Sequence, residues 1–151
     1  MNKIQNFKKF ITKLQLGDVT DNASFKELTS IKVGGSCELL FKPFNLETLV
    51  TSVKYLKENQ IPYFIIGKGT NLLVNDRHFE LVLINLEKLN NYFILDENDN
   101  EIYIYVEAGV NASTISKYLL TLGLSGGEFL SVIPGSIGGI TYMNAGAYKR
   151  S

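Results

Sequence analysis

Two glycine-rich loops constrain the fold of this chain more than any other part of its sequence. The first, residues 67–73, directly follows the short apolar segment 63–66, and the second, residues 133–139, places four small residues within five positions. Glycine has no Cβ, so the backbone can turn tightly and another group can approach it closely. Loops of this composition are typical of sites where the main chain contacts a flat or charged ligand.

The first loop reads Gly67-Lys68-Gly69-Thr70-Asn71-Leu72-Leu73. Glycines two positions apart can direct backbone N–H groups toward an anion, and Thr70 and Asn71 add side-chain donors. This pattern favours a pyrophosphate as ligand, and a plain connecting loop is the alternative interpretation.

Two better-known phosphate loops are excluded at this position. A Walker A loop requires a glycine five positions before the Gly-Lys pair, where this chain has Pro62. A Rossmann fingerprint requires a third glycine where Leu72 stands and then a long helix, which Asn75 and Asp76 disfavour.

The second loop, Ile133-Pro134-Gly135-Ser136-Ile137-Gly138-Gly139, is followed closely by Met143-Asn144-Ala145-Gly146-Ala147-Tyr148. Pro134 fixes the entry to the loop, and Ser136 and Asn144 can form hydrogen bonds without carrying charge. Flavin sites favour this combination of accessible backbone amides and few competing side chains. We expect Gly135, Gly138 and Gly139 to contact the ligand, with a glycine-rich hinge as the alternative.

Hydrophobic periodicity predicts a mixture of helices and strands. An amphipathic helix that packs on the body is predicted near the N-terminus, with a membrane-surface helix as the alternative. Asn45 offers an N-cap for a second helix that ends near Asn59. A third helix is predicted from Asn111 to about Leu122, where Gly123 stops it. The short apolar segments 37–42, 63–66 and 81–84 predict a βαβ lobe with a partly parallel sheet, and 92–95 and 102–106 predict an antiparallel hairpin.

Composition excludes several classes of function. Fifteen basic and 15 acidic residues give a net charge of zero, which argues against a nucleic-acid partner. One cysteine and one histidine make a zinc site of the usual type improbable. Cys37 lies in an apolar run and is predicted to be buried, whereas His78 is predicted to be a solvated loop residue. The lone cysteine, the lack of a secretory signal and the lack of a long apolar stretch favour a cytoplasmic protein without a membrane partner.

Several motifs occur in an order that resembles one known family. They are Ile31-Lys32-Val33-Gly34-Gly35, residues 67–73, Val106-Glu107-Ala108-Gly109-Val110, Gly126-Gly127-Glu128-Phe129-Leu130, residues 133–139 and residues 143–148. From about residue 28 onward, the chain resembles the FAD-binding region of the UDP-N-acetylenolpyruvoylglucosamine reductases, the flavin enzymes of peptidoglycan synthesis. The resemblance implies an α+β, two-lobed FAD-binding fold of the vanillyl-alcohol-oxidase (p-cresol methylhydroxylase) type.

The resemblance also implies a site and a reaction. FAD is the implied cofactor, NADPH the co-substrate and a UDP-sugar enolpyruvate the substrate. The implied catalytic residues lie beyond Ser151, so none is expected within this chain. The residues expected to bind the cofactor are Gly67, Lys68, Gly69, Thr70, Asn71, Leu72, Ala108, Gly109, Ile133, Pro134, Gly135, Ser136, Gly138, Gly139, Asn144, Ala145, Gly146 and Tyr148.

The chain departs from the family pattern in the first loop. Lys68 stands where glycine or asparagine is usual, and Thr70 replaces serine but keeps its hydroxyl. We expect residues 1–30 to form an N-terminal helix and leader loop, 31–90 a first FAD-binding lobe, and 91–151 a second lobe truncated before the substrate-binding domain. A stand-alone flavin-binding module and an oxidase or dehydrogenase of the wider FAD fold are the alternative functions.

Overall fold

A four-stranded sheet organises the first of two units into which the chain divides. The computed structural model describes residues 2–147, and the units comprise residues 1–88 and 89–151. In chain order, the first unit contains α1 (Lys3–Lys13), β1 (Gly17–Ser24), α2 (Phe25–Leu28), β2 (Ser36–Pro43), α3 (Leu46–Glu58), β3 (Tyr63–Ile66) and β4 (His78–Asn85).

The sheet has the strand order β1-β2-β4-β3. Strands β2 and β3 both pair in parallel with β4, and β1 pairs antiparallel with β2. Helix α3 connects β2 to β3, as parallel strands require a crossover connection. The predicted βαβ lobe with a partly parallel sheet is therefore confirmed.

Strand β1 corrects the expectation of a leader loop before residue 30. Its sequence, GDVTDNAS, is mostly polar, and only Ala23 is buried. An edge strand needs to bury little of its surface, so it lacks the apolar alternation by which strands are recognised in a sequence. Backbone pairing with the apolar strand β2 holds β1 in the sheet.

The main core of the first unit lies between α1, α3 and the sheet. Phe7 and Ile11 of α1 are fully buried, as the helical spacing of apolar residues predicts. The Phe7 ring meets the Phe41 ring of β2 edge-on, with centroids 5.7 Å apart, and lies 5.8 Å from Tyr55 of α3. The amphipathic helix therefore packs on the body of its own unit.

Helix α3 begins and ends where the sequence predicts. The Asn45 side chain accepts a hydrogen bond from the Thr48 amide at 3.0 Å, and the Thr48 hydroxyl oxygen accepts one from the Asn45 amide at 3.1 Å. This reciprocal capping satisfies two amides that the first helical turn leaves without intrahelical partners. Asn59 follows as the C-terminal cap.

The second unit contains β5 (Tyr92–Glu97), β6 (Ile102–Val106), α4 (Ala112–Thr121), a 3₁₀ helix (Glu128–Ser131) and α5 (Ile137–Tyr142). Strands β5 and β6 form the predicted antiparallel hairpin. Asn111 occupies the N-cap position of α4 without a side-chain capping hydrogen bond, and Gly123 follows the helix with φ of 69°, a conformation that glycine adopts readily.

The predictions for the single cysteine and the single histidine have different outcomes. Cys37 is fully buried as predicted, and burial raises the pKa of its thiol to about 11. His78 is exposed but lies in strand β4 and not in a loop, because backbone pairing extends β4 into the polar segment before residue 81. Over residues 2–147, no helix is long and apolar enough to span a bilayer, and no cluster of potential metal ligands occurs.

Replacing Phe7 by alanine tests how α1 is attached. We expect Phe7→Ala to lower the free energy of unfolding of the first unit by about 3–5 kcal/mol, because it leaves a cavity between β2 and α3. The matched control is Leu14→Ala just beyond α1, where the side chain is 50% exposed and the expected change is within about 0.5 kcal/mol. Urea unfolding followed by circular dichroism measures both, and equal effects would contradict the packing of α1.

Candidate functional site

The first glycine-rich loop is held in place by the segment after α2. The Gly69 carbonyl accepts a hydrogen bond from the Ser30 amide at 3.1 Å. Gly69 has φ of 62°, and a Cβ built on it would lie 2.2 Å from the Leu28 carbonyl oxygen. Both the backbone conformation and the lack of space require glycine at this position.

The side chains of this loop divide between the core and the solvent. Leu72 packs against the second apolar cluster of the unit, which includes Phe25 and Leu83. Lys68 and Asn71 are exposed, and none of the ion pairs found among residues 2–147 involves Lys68. The loop therefore presents to solvent an amide group and a cation that has no ion-pair partner among the described residues.

A second pair of glycines holds the residues that follow this loop. The Gly35 amide donates to the Asn75 carbonyl at 2.9 Å, and the Gly34 amide donates to the Asp76 carboxylate at 3.2 Å. A Cβ on Gly35 would lie 1.9 Å from the Arg77 carbonyl oxygen, so the two backbones are in direct contact. Residues 74–77 form no helix, as Asn75 and Asp76 predict.

Next to this contact, the register of β2 and β4 creates an array that sequence reasoning missed. Ser36 lies opposite His78, and Glu38 is two residues further along β2. The Ser36 hydroxyl is 2.9 Å from His78 Nδ1, and His78 Nε2 is 3.0 Å from the Glu38 carboxylate. No sequence motif signals this array, because its members come together only through strand pairing.

The Ser36–His78–Glu38 array has the side chains of a hydrolytic triad but not its surroundings. Such a triad acts beside donors, commonly backbone amides, that are free to stabilise the oxyanion that forms on the substrate. The amides of Gly35 and Ser36 instead donate to the carbonyls of Asn75 and Arg77. We therefore interpret the array as a cross-strand clamp at the start of β2 and β4.

In the second unit, two predicted ligand-binding stretches lie directly against each other. The Gly138 amide donates to the Ala108 carbonyl at 2.9 Å, and the Ile137 amide donates to the Val110 carbonyl at 2.8 Å. The Ala112 amide donates to the Gly135 carbonyl at 3.1 Å. Residues 108–112 and 135–138 thus form one continuous backbone contact.

The requirement for glycine at residue 138 comes from this contact. A Cβ on Gly138 would lie 2.7 Å from the Ala108 Cβ and 3.0 Å from the Ala108 carbonyl oxygen. The collision occurs with the protein itself, whether or not a ligand is present. Gly138 therefore holds the two stretches together in addition to any role toward a ligand.

The amides at the start of α5 are also used within the protein. The amides of Ile137 and Gly138 donate to carbonyls, and the Gly139 amide donates to the Ser136 hydroxyl at 3.4 Å. Ser136 is only 2% exposed and acts as the N-cap of α5. Ser136 thus begins helix α5. The sequence alone does not reveal this role, because it depends on knowing where α5 starts.

Glu107 is a buried carboxylate that anchors the start of the second unit. It is 8% exposed, and its side chain accepts a hydrogen bond from the Asn91 amide at 2.8 Å. The Glu107 amide donates to the Asn91 carbonyl at 2.9 Å, so the pair is joined twice. Glu107 therefore fixes the position of the chain just before Ala108 and Gly109.

The remaining residues that were predicted to bind the cofactor lie on either side of residues 135–138 in the sequence. Ile133 is partly buried and Pro134 is exposed. Asn144 is exposed with φ of 46°, and the Ala145 amide donates to the Ile140 carbonyl at 2.9 Å, which closes α5. Gly146 is exposed, and Tyr148 lies outside the described residues.

The predicted residues are thus distributed over both units. Residues 67–72 belong to the first unit. Residues 108–109, 133–139 and 144–146 belong to the second, where 108–109 and 135–138 are in direct contact.

Comparison with known proteins identifies the family. The FAD binding domain family matches residues 37–151 of this chain. UDP-N-acetylenolpyruvoylglucosamine reductase of Treponema denticola is 39% identical over 137 residues, which cover 91% of this chain and 42% of that protein. The enzyme of the same name from Clostridium kluyveri is 41% identical over 150 residues, which cover 99% of this chain and 48% of that protein. The chain therefore spans about half the length of the curated relatives it matches.

Solved structures identify the fold. UDP-N-acetylenolpyruvylglucosamine reductase from Thermus caldophilus superposes with a TM-score of 0.64 at 27% identity, over 87% of this chain and 44% of that one. p-Cresol methylhydroxylase superposes with a TM-score of 0.52 at 18% identity, over 81% of this chain and 24% of that one. The α+β FAD-binding fold of the vanillyl-alcohol-oxidase type is confirmed. The chain belongs to the FAD binding domain family and corresponds to the N-terminal FAD-binding region of the UDP-N-acetylenolpyruvoylglucosamine reductases.

Proposed function

We propose that this chain binds FAD and forms the flavin-binding part of an NADPH-dependent reductase that converts UDP-N-acetylglucosamine enolpyruvate to UDP-N-acetylmuramate. The observation that carries the proposal is the loop 67–73, whose Gly69 is fixed against Leu28 while Lys68 and Asn71 remain exposed. A rigid loop with outward-facing donors suits a diphosphate. In this proposal, the two units act as two FAD-binding lobes.

The charge of the loops fits an anionic cofactor. Residues 67–73, 133–139 and 143–147 contain no aspartate or glutamate, and Lys68 is their only charged residue. A carboxylate in these loops would repel a pyrophosphate, whereas a cation and neutral donors attract it. The cation and the neutral hydrogen-bond donors of these loops therefore fit the negatively charged pyrophosphate of FAD.

We assign roles toward FAD to Lys68, to Asn71 and to the backbone contact in the second unit. Lys68 neutralises phosphate charge, and Asn71 donates a hydrogen bond. The contact between residues 108–112 and 135–138 provides a fixed, small-residue surface for the flavin ring. When bound, FAD supplies the hydride chemistry, which no side chain can provide.

A UDP-sugar as substrate, NADPH as co-substrate and a cytoplasmic location are parts of this proposal. The names of the relatives support the substrate class. A single cysteine, which can form no internal disulfide, suits a reducing compartment. The net charge of zero gives no support to a nucleic-acid partner, and we propose neither a nucleic-acid nor a membrane partner.

A comparison of FAD with FMN tests the pyrophosphate role of the first loop. We expect the chain to bind FAD more tightly than FMN, because FMN lacks the second phosphate and the adenosine. Titration followed by flavin fluorescence measures both dissociation constants. FMN binding as tight as FAD binding would show that residues 67–73 do not hold a pyrophosphate.

Removing the charge of Lys68 tests its role separately. We expect Lys68→Ala to weaken FAD binding about two- to fivefold, as is typical of one exposed ion pair worth about 0.5–1 kcal/mol, and to reduce the salt dependence of the affinity. Lys57→Ala on α3, also an exposed lysine of the first unit, is the control. Equal FAD affinities and equal salt slopes for wild type and Lys68→Ala would exclude the contact.

We expect the FAD-loaded chain by itself to be inactive toward the enolpyruvyl substrate. Loss of a general acid typically slows such a step about 10²- to 10⁴-fold, and loss of substrate positioning slows it further. Ser136 is a poor substitute acid because it is only 2% exposed and caps α5. Absorbance of NADPH with and without substrate measures the rate. Substrate-dependent oxidation at the rate of a full-length relative would place the acid within this chain.

A further inference from the structure

Backbone hydrogen bonds hold the first glycine-rich loop against the segment that leads into β2. Residues 67–77 run alongside residues 30–36, and the bonds between them join Ser30 to Gly69, Gly35 to Asn75 and Ser36 to Arg77. The Ser36–His78–Glu38 array comes directly after these bonds. It therefore holds the end at which the loop passes into β4.

A β-bulge separates this end of β4 from the rest of the strand. The Cys37–Phe79 pair is followed by the Leu39–Val82 pair, so β4 contains one residue more than β2 over this interval. A bulge disrupts strand pairing locally. The register of β3 on β4 begins at Val82, so the strand pairing of His78 and Phe79 is with β2. The start of β4 therefore depends on its contacts with β2 for its position.

The array can form with the His78 ring in either protonation state. When the neutral ring carries its proton on Nε2, it donates to the Glu38 carboxylate at 3.0 Å, and Nδ1 accepts from the Ser36 hydroxyl at 2.9 Å. When the ring is protonated, both nitrogens donate and the contact with Glu38 is an ion pair. Hydrogen bonds between two charged groups are stronger than those with a neutral partner. Protonation of His78 therefore tightens the array without rearranging it.

Glu38 is the only charged side chain within ion-pair distance of the His78 ring among residues 2–147. Its other carboxylate oxygen accepts a hydrogen bond at 3.5 Å from Asn2, the neutral residue before α1. Glu80 of β4 forms no hydrogen bond or ion pair within the described part of the chain. The other charged groups nearby have different partners: Arg77 lies over the Phe79 ring, Asp76 accepts from the Gly34 amide, and Asp21 of β1 pairs with Lys8 of α1.

We propose that His78 is a positioning residue for the first glycine-rich loop, and that its protonation strengthens the hold of the array on residues 74–79. An imidazole gains a positive charge as the pH falls from about 8 to about 5, whereas carboxylates keep theirs over most of that range. The array thus makes the order of this loop depend on pH. The effect on FAD as the ligand of the loop rests on the proposed function.

Hydrogen exchange of the chain without ligand tests the array directly. Protection of the Gly35 and Ser36 amides, corrected for the intrinsic effect of pH on exchange, should rise about two- to fivefold as the pH is lowered from about 8 to about 5.5. The gain is present when the ring is protonated and is lost as the pH rises through its titration. His78 is the only histidine of the chain, and burial raises the pKa of the adjacent Cys37 thiol to about 11. His78 is therefore the side chain expected to titrate in this range.

Two variants separate the titration from packing. His78→Gln and Glu38→Gln keep a side chain that can form hydrogen bonds, but neither allows an ion pair, so both should abolish the gain in protection and leave the circular dichroism spectrum unchanged. The matched control is Glu87→Gln, which removes the partly exposed ion pair between Glu87 and Lys42 of β2 and should keep the gain. A wild-type chain without the gain, or an undiminished gain in His78→Gln, would overturn the proposal.

FAD titration of the same proteins separates this proposal from the proposed function. Acidification over the same range should raise the affinity of the wild type for FAD about two- to fivefold, because only the ordered loop is competent to bind. The affinity of His78→Gln should not change with pH, and an equal pH dependence in both proteins would overturn the positioning role. Exchange that follows His78 without FAD binding would reject the proposed function and keep the effect of the array on the loop. FAD binding with exchange that does not respond to pH would reject the array alone.

Discussion

Both loops depend on places where one backbone lies against another with no room for a Cβ. At Gly69 the neighbour is the Leu28 carbonyl, at Gly35 it is the Arg77 carbonyl, and at Gly138 it is Ala108. Each contact is accompanied by backbone hydrogen bonds that fix the register of the two segments. The glycines thus give rigidity to loops whose composition suggests flexibility. A rigid loop binds a ligand at a lower entropic cost than a mobile one.

Much of this architecture follows from the sequence, because the responsible signals are local. The spacing of Ile4, Phe7 and Ile11 predicts α1, and Asn45 predicts the start of α3. Strand β1 escapes prediction because an edge strand with a polar sequence carries no periodic signal. The Ser36–His78–Glu38 array also escapes, since it depends on the register between two strands that are far apart in sequence.

The candidate site also combines features that the sequence predicts with features that only the fold determines. Its loops are identifiable by composition, and the motifs correctly place them in an FAD-binding fold. Which amides remain available depends on tertiary contacts, and the amides of Ile137 and Gly138 are already used by Val110 and Ala108. Local composition identifies donors, but only the fold shows which of them already have partners.

The acidic turn of the hairpin has a consequence during synthesis of the protein. A chain is synthesised from its amino end, so the residues of the first unit, with its large apolar cores, emerge before β5 and β6. The hairpin then appears with its apolar strand uncovered. Four carboxylates between residues 96 and 101 stand beside that strand. Charges in this position act as gatekeepers that discourage aggregation between nascent chains. These carboxylates therefore protect the newly synthesised hairpin from aggregation.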